Sequence, residues 1–414
     1  MQPNFLVRRA LQLGLTANAL RPLRGSASIP AFFAGWLTSE LAPHLLALTA
    51  ADTAAHLARH GLRGGTGKAG LALAALSAAG LGSMIATARQ AGDRVEDALA
   101  EGLGPKYVED LERPPDADDL ATPWGQLVLP FRMRNPEVRR FRNVAYAPGG
   151  KRFLLDVYAP RGEVRDRPVL LQVHGGAWVI GNKDQQGIPL MLHMAQRGWI
   201  CVAINYPLAP ASRWPEHILA AKRALAWVRE HIGEYGGDPG FVAATGGSAG
   251  GHLAALLGLT ANDPVLQPDF PETDTSVQAC VPHYGVYDFA ATSGSRASTA
   301  RLNSLLAKLV VGKDPVKFLD EYIAASPLDR ITDKAPPFFV LHGEHDTLVP
   351  VREAREFVRR LRETAKNPVV YAELPGTQHA FDIFPSIRSA HVVRGVERFL
   401  DWAYLRSLRE PSAR

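Results

Sequence analysis

The chain has 414 residues, a length that suits one large α/β domain with an extension and is too long for one small domain. Its net charge of +5 is spread along the sequence without a dense basic block, so we expect no nucleic-acid partner. The two cysteines, Cys201 and Cys280, lie inside apolar runs, and the sequence contains neither CxxC nor HExxH. We therefore expect buried free thiols and no metal.

Residues 1–110 are rich in alanine and leucine and show almost no strand-like alternation, which predicts a helical extension. The segment from Ala69 to Ala88 is uncharged and long enough to span a bilayer, although its alanine and glycine content makes insertion only weakly favourable. The preceding apolar stretch contains Glu40 and Pro43, which suits an interfacial or buried helix. We expect this extension to attach the protein to a membrane and to contribute no catalytic group. The alternative is a helical hairpin packed on the catalytic domain.

Basic residues, among them Arg24 and Arg63, flank the apolar segments on both sides, so the positive-inside rule assigns no orientation. The N-terminus lacks an apolar core followed by a small-residue cleavage site, and we expect no cleaved secretory signal. The predicted location is the membrane surface, and otherwise the cytoplasm.

Residues 111–140 are rich in proline, aspartate and arginine and predict a linker. From Phe141 onward, FRNVAYAP and RFLLDVYAP predict a β-hairpin. Six near-continuous apolar runs follow, mostly separated by helical stretches, as is typical of parallel strands buried on both faces. These runs are PVLLQVHG, WICVAINY, FVAATGG, VQACVPHYG, PFFVLHGE and VVYAELPG. Residues 141–410 therefore predict a doubly wound α/β domain with antiparallel strands at its start.

One connection within this domain is unusually long. About 50 residues separate Asp288 from the apolar run at Phe338, which is more than a plain loop needs in a compact domain. This connection contains two helical patches. We therefore expect residues 289–335 to form a cap over the active site.

The segment Phe241 to Leu257 reads as strand, sharp turn and helix, with Ser248 inside a G-x-S-x-G match. That context predicts a nucleophile elbow, in which the turn lifts the serine hydroxyl clear of the sheet edge. A serine hydroxyl is a poor nucleophile at neutral pH and needs a base, an orienting acid and oxyanion donors. Ser248 is therefore the candidate nucleophile.

The partners of Ser248 should follow in the order acid and then histidine, each on a loop after a late strand. Asp346 lies after PFFVLHGE and is our candidate acid, with Asp288 as its rival and Glu344 as a weaker neighbour. His379 lies after the last strand and is the candidate base.

The oxyanion donors should lie after an early strand, where small residues allow backbone N–H groups to face the substrate oxygen. His174-Gly175-Gly176-Ala177-Trp178 follows PVLLQVHG in this way. We assign the N–H groups of Gly175 and Gly176, together with that of Ala249 after the nucleophile.

The motifs HGGAW, GGSAGG, HGEHDTLVP and GTQHAF resemble those of the hormone-sensitive-lipase-like α/β hydrolases, over roughly residues 141–405. With its extension, the chain is most similar to the LipM-type carboxylesterases of mycobacteria. The resemblance implies an α/β-hydrolase fold, ester hydrolysis, no cofactor and a cap. The chain departs from the family pattern at Ala177, where a third glycine is common, and at Gly247, where aspartate is common. It also reads Asn205-Tyr206-Pro207-Leu208-Ala209-Pro210-Ala211 in place of NYRLAPE.

Together these features predict a serine carboxylesterase or lipase that acts on a small hydrophobic ester through an acyl-enzyme. Candidate pocket walls are Trp178, His252 and Phe381, because they adjoin the motifs; core packing is the alternative for each. An amidase or formamidase with the same triad stays open as an alternative function. A non-catalytic hydrolase-like binding module is disfavoured because both serine and histidine are present. The sequence assigns no oligomeric state.

Overall fold

The computed structural model describes residues 4–23, 25–62 and 64–409, so the flanking Arg24 and Arg63 lie outside it. Within these ranges, eight strands form one sheet: β1 Val138–Ala145, β2 Leu154–Pro160, β3 Arg167–Val173, β4 Ile200–Ile204, β5 Gly237–Gly247, β6 Ala279–His283, β7 Phe338–Gly343 and β8 Val369–Leu374. Their order is β1-β2-β4-β3-β5-β6-β7-β8. β2 pairs antiparallel with β1 and β4, and the other neighbours are parallel. The predicted α/β-hydrolase fold is confirmed.

The helices of the described residues fall into three groups along the chain. Those of the extension are α1 Phe5–Leu20, α2 Ser28–Glu40, α3 Ala42–His60 and α4 Gly65–Leu103. Two short helices lie in the linker segment, α5 Ala117–Leu120 and α6 Trp124–Leu127. The hydrolase region contains α7 Ile188–Gln196, α8 Glu216–His231, α9 Ala249–Leu259, α10 Arg296–Arg301, α11 Leu319–Ala324, α12 Val351–Thr364 and α13 Ile387–Arg409. The segment expected to form the cap contains α10, which continues as a π-helix through Val310, and α11.

Helices cover both faces of the sheet and enclose two apolar layers. One layer lies under α8, α9 and α12, and the other under α7, α13 and the C-terminal half of α4. Successive strand residues point to opposite faces, so Leu170 and Leu171 are both fully buried but belong to different layers. This burial on both faces explains why the strands read as continuous apolar runs in the sequence.

Helix α4 connects the extension to the hydrolase. Its first half packs against α1, and its second half packs against β8 and α13. Val95 and Leu99 are fully buried there, and a Cβ on Gly102 would lie 2.9 Å from the Cα of Val370. Among the described residues, α4 is the one helix long and apolar enough to cross a membrane. Its contacts nevertheless correspond to the alternative of helices packed on the catalytic domain.

A buried ion pair also joins the extension to the hydrolase. Glu40, at the end of α2, lies 3.0 Å from Nη1 of Arg388 in α13, and both side chains are about 1% exposed. The second carboxylate oxygen accepts a hydrogen bond of 2.7 Å from Ser386 Oγ. Removing one partner of such a pair leaves a buried charge without compensation. The extension is therefore tied to the chain segment that follows the candidate base.

We expect Glu40→Gln to lower the free energy of unfolding by about 3–5 kcal/mol, because the Arg388 guanidinium would stay buried without its counter-charge. Urea denaturation of the full chain measures this change. The control is Asp333→Asn, which breaks an exposed ion pair with Lys366 and should leave the unfolding midpoint unchanged. A Glu40→Gln protein as stable as the wild type would show that the pair does not hold the extension in place.

Candidate active site

The strand–turn–helix segment around Ser248 has the geometry of a strained elbow. β5 ends at Gly247, α9 begins at Ala249, and Ser248 between them has φ 58° and ψ −120°. A Cβ on Gly246 would lie 2.5 Å from the carbonyl oxygen of Val173, and one on Gly250 would lie 2.1 Å from it. Both glycines are therefore required by the close approach of β3. The Ser248 N–H donates a hydrogen bond of 3.0 Å to the carbonyl oxygen of His283, which fixes the turn against the end of β6.

The loops after β7 and β8 bring Asp346 and His379 together. Asp346 Oδ2 lies 2.6 Å from His379 Nδ1, and Oδ1 accepts hydrogen bonds from the N–H groups of Leu348 and Val349. Burial alone would raise the pKa of Asp346, but His379 and His342 outweigh it and hold that pKa well below its usual range. The carboxylate is therefore ionised at neutral pH. It orients Nδ1–H of His379 and leaves Nε2 without a hydrogen-bond partner among the described residues.

The two rival acids are engaged elsewhere. Asp288 is fully buried, and its Oδ2 accepts a hydrogen bond from Ser293 Oγ. Glu344 accepts a hydrogen bond of 2.9 Å from the N–H of Gly376. Within the part of the chain that the structure describes, neither carboxylate is bonded to His379. The geometry thus favours Asp346 over both rivals as the candidate acid.

The turn after β3 lies directly against the elbow. A Cβ on Gly175 would lie 3.1 Å from Ser248 Cβ, and the turn is bent by positive φ angles of 117° at Gly176, 54° at Ala177 and 60° at Trp178. The Gly175 N–H, however, donates a hydrogen bond of 2.7 Å to Oε1 of Gln186.

This bond corrects our assignment of Gly175 as an oxyanion donor, because its N–H is already paired. The amides of Gly176 and Ala249 have no partner among the described residues, and the same holds for the next amide of the turn, Ala177. Gln186 lies outside every motif of the sequence, and no sequence signal pointed to it.

The three residues expected to line the pocket lie in the packed interior, each at most 1% exposed. Trp178 Nε1–H donates a hydrogen bond of 3.3 Å to His252 Nδ1, and His252 Nε2 lies 2.7 Å from the carbonyl oxygen of Ala325. Burial lowers the pKa of His252 to about 3, so this imidazole is neutral at pH 7. Phe381 packs separately, against Tyr284. These contacts correspond to core packing, the alternative to a pocket wall for each of the three residues.

Three residues near the site were not predicted. His342 Nε2 lies 3.3 Å from Asp346 Oδ2, the same oxygen that contacts the His379 ring. Phe32 of α2 meets the His379 ring edge-on, with ring centroids 5.9 Å apart. The Tyr284 ring lies 4.6 Å from that of His379. Phe32 shows that the extension, which we expected to contribute no catalytic group, packs against the candidate base.

Comparison with known proteins shows which family the chain resembles. The family model described as BD-FAE matches residues 155–361, half of the chain. The chain is 45% identical to the probable carboxylic ester hydrolase LipM of Mycobacterium tuberculosis, over 97% of this chain and 94% of that protein. It is 39% identical to the esterase LipQ of the same organism, over 93% of this chain and 87% of that protein.

Among solved structures, the apo form of Thermogutta terrifontis esterase 2 is similar with a TM-score of 0.51 and 25% identity. The match covers 64% of this chain and 92% of that chain. The match to LipM spans nearly the whole chain, so it includes the N-terminal helices as well as the hydrolase region. The chain therefore belongs to the hormone-sensitive-lipase-like family of α/β hydrolases, a family of carboxylic ester hydrolases.

Proposed function

We propose that this chain hydrolyses small hydrophobic carboxylic esters through an acyl-enzyme on Ser248, with His379 as base and Asp346 as the group that orients it. Two observations carry the proposal: the 2.6 Å contact between His379 Nδ1 and Asp346 Oδ2, and the strained elbow that holds Ser248. A carboxylate on Nδ1 leaves Nε2 to accept the serine proton and stabilises the imidazolium that forms.

In the first half of the reaction, Ser248 Oγ bonds to the ester carbonyl carbon while its proton moves to His379 Nε2. The resulting oxyanion accepts hydrogen bonds from the backbone N–H groups of Gly176 and Ala249. The N–H group of Ala177 is a third candidate donor. The carbon–oxygen bond to the alcohol then breaks, and the imidazolium protonates the departing alkoxide. In the second half, His379 takes a proton from water, the hydroxide attacks the acyl carbon, and the acid leaves as Ser248 Oγ is reprotonated.

The test of this assignment is the Ser248→Ala variant. It should lose both ester hydrolysis and labelling by a fluorophosphonate probe, which forms a bond to an activated serine. A series of p-nitrophenyl esters of increasing acyl length then measures how large the acyl site is.

We also propose that the esterase docks on an anionic lipid surface through α1 and α2. Each helix exposes apolar residues at intervals of four, which places them on one face: Val7, Leu11 and Leu15 on α1, and Ile29, Phe33 and Leu37 on α2. From Asn4 to Ala51, the one carboxylate among the described residues is Glu40, which is buried and paired, whereas Arg21 is exposed. Asp52, just beyond this stretch, is paired with Arg8 and Arg9 of α1. An apolar face flanked by an exposed arginine suits an anionic bilayer. Phe32 beside this face contacts His379, so a docked protein would hold the site near the lipid.

Flotation with vesicles tests the docking proposal. The full chain should float with phosphatidylglycerol-containing vesicles and less with pure phosphatidylcholine vesicles. The double variant Leu11→Ser/Phe33→Ser should lose most of the bound fraction, because it removes apolar area from both helices. Val265→Ser, at an apolar side chain 78% exposed on the hydrolase, is the control and should bind as the wild type does. A wild type that floats with neither vesicle would contradict docking and leave the esterase assignment intact.

A further inference from the structure

Tyr284, directly after β6, lies close to both the candidate base and the elbow that holds Ser248. Its ring lies 4.6 Å from that of His379, inclined by 60°. Its hydroxyl fills the space beside the elbow, because a Cβ on Gly247 would lie 2.5 Å from it. The side chain is nearly fully buried. One rigid ring therefore stands between the residue that precedes Ser248 and the imidazole of the base.

Several bonds hold Tyr284 in this place. Its hydroxyl donates a hydrogen bond to Asp382 Oδ1, and Asp382 Oδ2 lies 2.7 Å from His283 Nδ1. Its N–H donates a hydrogen bond of 2.7 Å to the carbonyl oxygen of Leu341, and its backbone has a positive φ of 37°. A tyrosine with positive φ is rare and persists where the surroundings enforce it. Burial and the neighbouring Asp382 raise the pKa of Tyr284 well above its usual value, so the phenol stays protonated and donates.

This arrangement also accounts for one departure from the family pattern. Gly247 stands where the family that the sequence resembles often has an aspartate. Here any side chain at that position would collide with the Tyr284 ring and hydroxyl. A carboxylate instead accepts a hydrogen bond from the Tyr284 hydroxyl from the other direction along the chain. It belongs to Asp382, three residues after His379 on the same loop. Tyr284 thus links the base loop to the elbow through a hydrogen bond on one side and close packing on the other.

We propose that Tyr284, tied to Asp382, is a positioning residue that sets the distance and angle between the His379 imidazole and Ser248. This role rests on the proposed assignment of Ser248 and His379. It predicts that the link acts on the chemical steps and leaves ester binding unchanged, because the Tyr284 side chain is buried.

Tyr284→Phe keeps the ring and removes the link. We expect kcat on a soluble short-chain ester to fall by roughly ten- to a hundredfold with little change in KM, as when a catalytic group is slightly misplaced. Asp382→Ala should lower kcat by a similar factor. The double variant should be no slower than either single variant, because each removes the same link. Asp382→Asn retains an acceptor for the Tyr284 hydroxyl and should recover most of kcat.

The matched control is Tyr287→Phe. Tyr287 is fully buried in the same segment and stacks on Phe357, and its hydroxyl has no partner among the described residues. Its removal should leave kcat unchanged. Thermal midpoints confirm that each variant is folded, and Tyr284→Phe and Asp382→Asn remain informative if Asp382→Ala does not fold. Wild-type kcat in Tyr284→Phe, or effects that add in the double variant, would overturn the proposal. If Ser248→Ala retained activity, the site assignment itself would fail instead.

Discussion

Replacing Ser248 by alanine should lower kcat on a soluble carboxylic ester by roughly 10⁴- to 10⁶-fold, because no acyl-enzyme can form without the hydroxyl. The activity that remains would come from substrate binding and the oxyanion donors. Alanine fits the site, since α9 begins at the next residue and the elbow is held by backbone contacts that the variant keeps. We therefore expect a folded protein with a wild-type thermal midpoint. Steady-state kinetics with p-nitrophenyl butyrate measures the loss.

Ser77→Ala is the control for this experiment. Ser77 is fully buried in α4, and its hydroxyl has no hydrogen-bond partner in the described part of the chain. That variant makes the same serine-to-alanine change within α4 of the extension, outside the elbow, and should keep its activity. A folded Ser248→Ala protein with near-normal turnover would exclude Ser248 as the nucleophile.

The elbow could be predicted because its determinants are local. Gly246, Ser248 and Gly250 lie within five residues of one another. The apolar pattern predicts both the strand before them and the helix after them. The parallel strands could be predicted for a similar reason, because burial on both faces leaves an unbroken apolar run in each. The loop positions of Asp346 and His379 followed from the order of those strands.

The contacts of the extension could not be predicted, because their partners are remote in sequence. Glu40 interrupts an apolar stretch, and its partner Arg388 lies 348 residues further along the chain. No local pattern distinguishes a carboxylate at a lipid interface from one buried against a distant arginine. The same applies to Phe32, whose contact with His379 depends on how α2 lies across the hydrolase.

The sequence also could not show which backbone amides already have a hydrogen-bond partner. A run of small residues indicates that backbone amides are exposed on a turn, but it does not show which amide is already paired. Gln186 accepts from the Gly175 N–H, and this bond is visible only once the loop leading to α7 has been placed over the turn. Trp178 and His252 illustrate the same limit, since aromatic residues beside a motif can pack into the core as readily as they can line a pocket.

Asp346→Asn should reduce kcat by about 10⁴-fold while leaving the fold intact. Asp346 Oδ2 accepts Nδ1–H of His379 at 2.6 Å, which keeps Nε2 free to receive the serine proton. An amide can turn its NH₂ group toward Nδ1, so that Nδ1 becomes the acceptor and Nε2 carries the proton. The imidazole would then be the wrong tautomer for a base, and no negative charge would stabilise the imidazolium. KM should change much less than kcat, because Asp346 is buried away from bulk solvent.

Asp288→Asn is the matched comparison, since both carboxylates are buried and follow neighbouring strands β6 and β7. Asp288 accepts a hydrogen bond from the Ser293 hydroxyl. Its replacement by asparagine should have little effect on the chemical step. The pH dependence of stability offers a second readout. The pKa of Asp346 lies below its unfolded value, so this carboxylate stabilises the fold above about pH 3.9 and less as the pH falls further. Asp346→Asn should therefore weaken the acid dependence of unfolding. If Asp288→Asn lowered kcat strongly and Asp346→Asn left kcat nearly unchanged, the catalytic acid would be Asp288 instead.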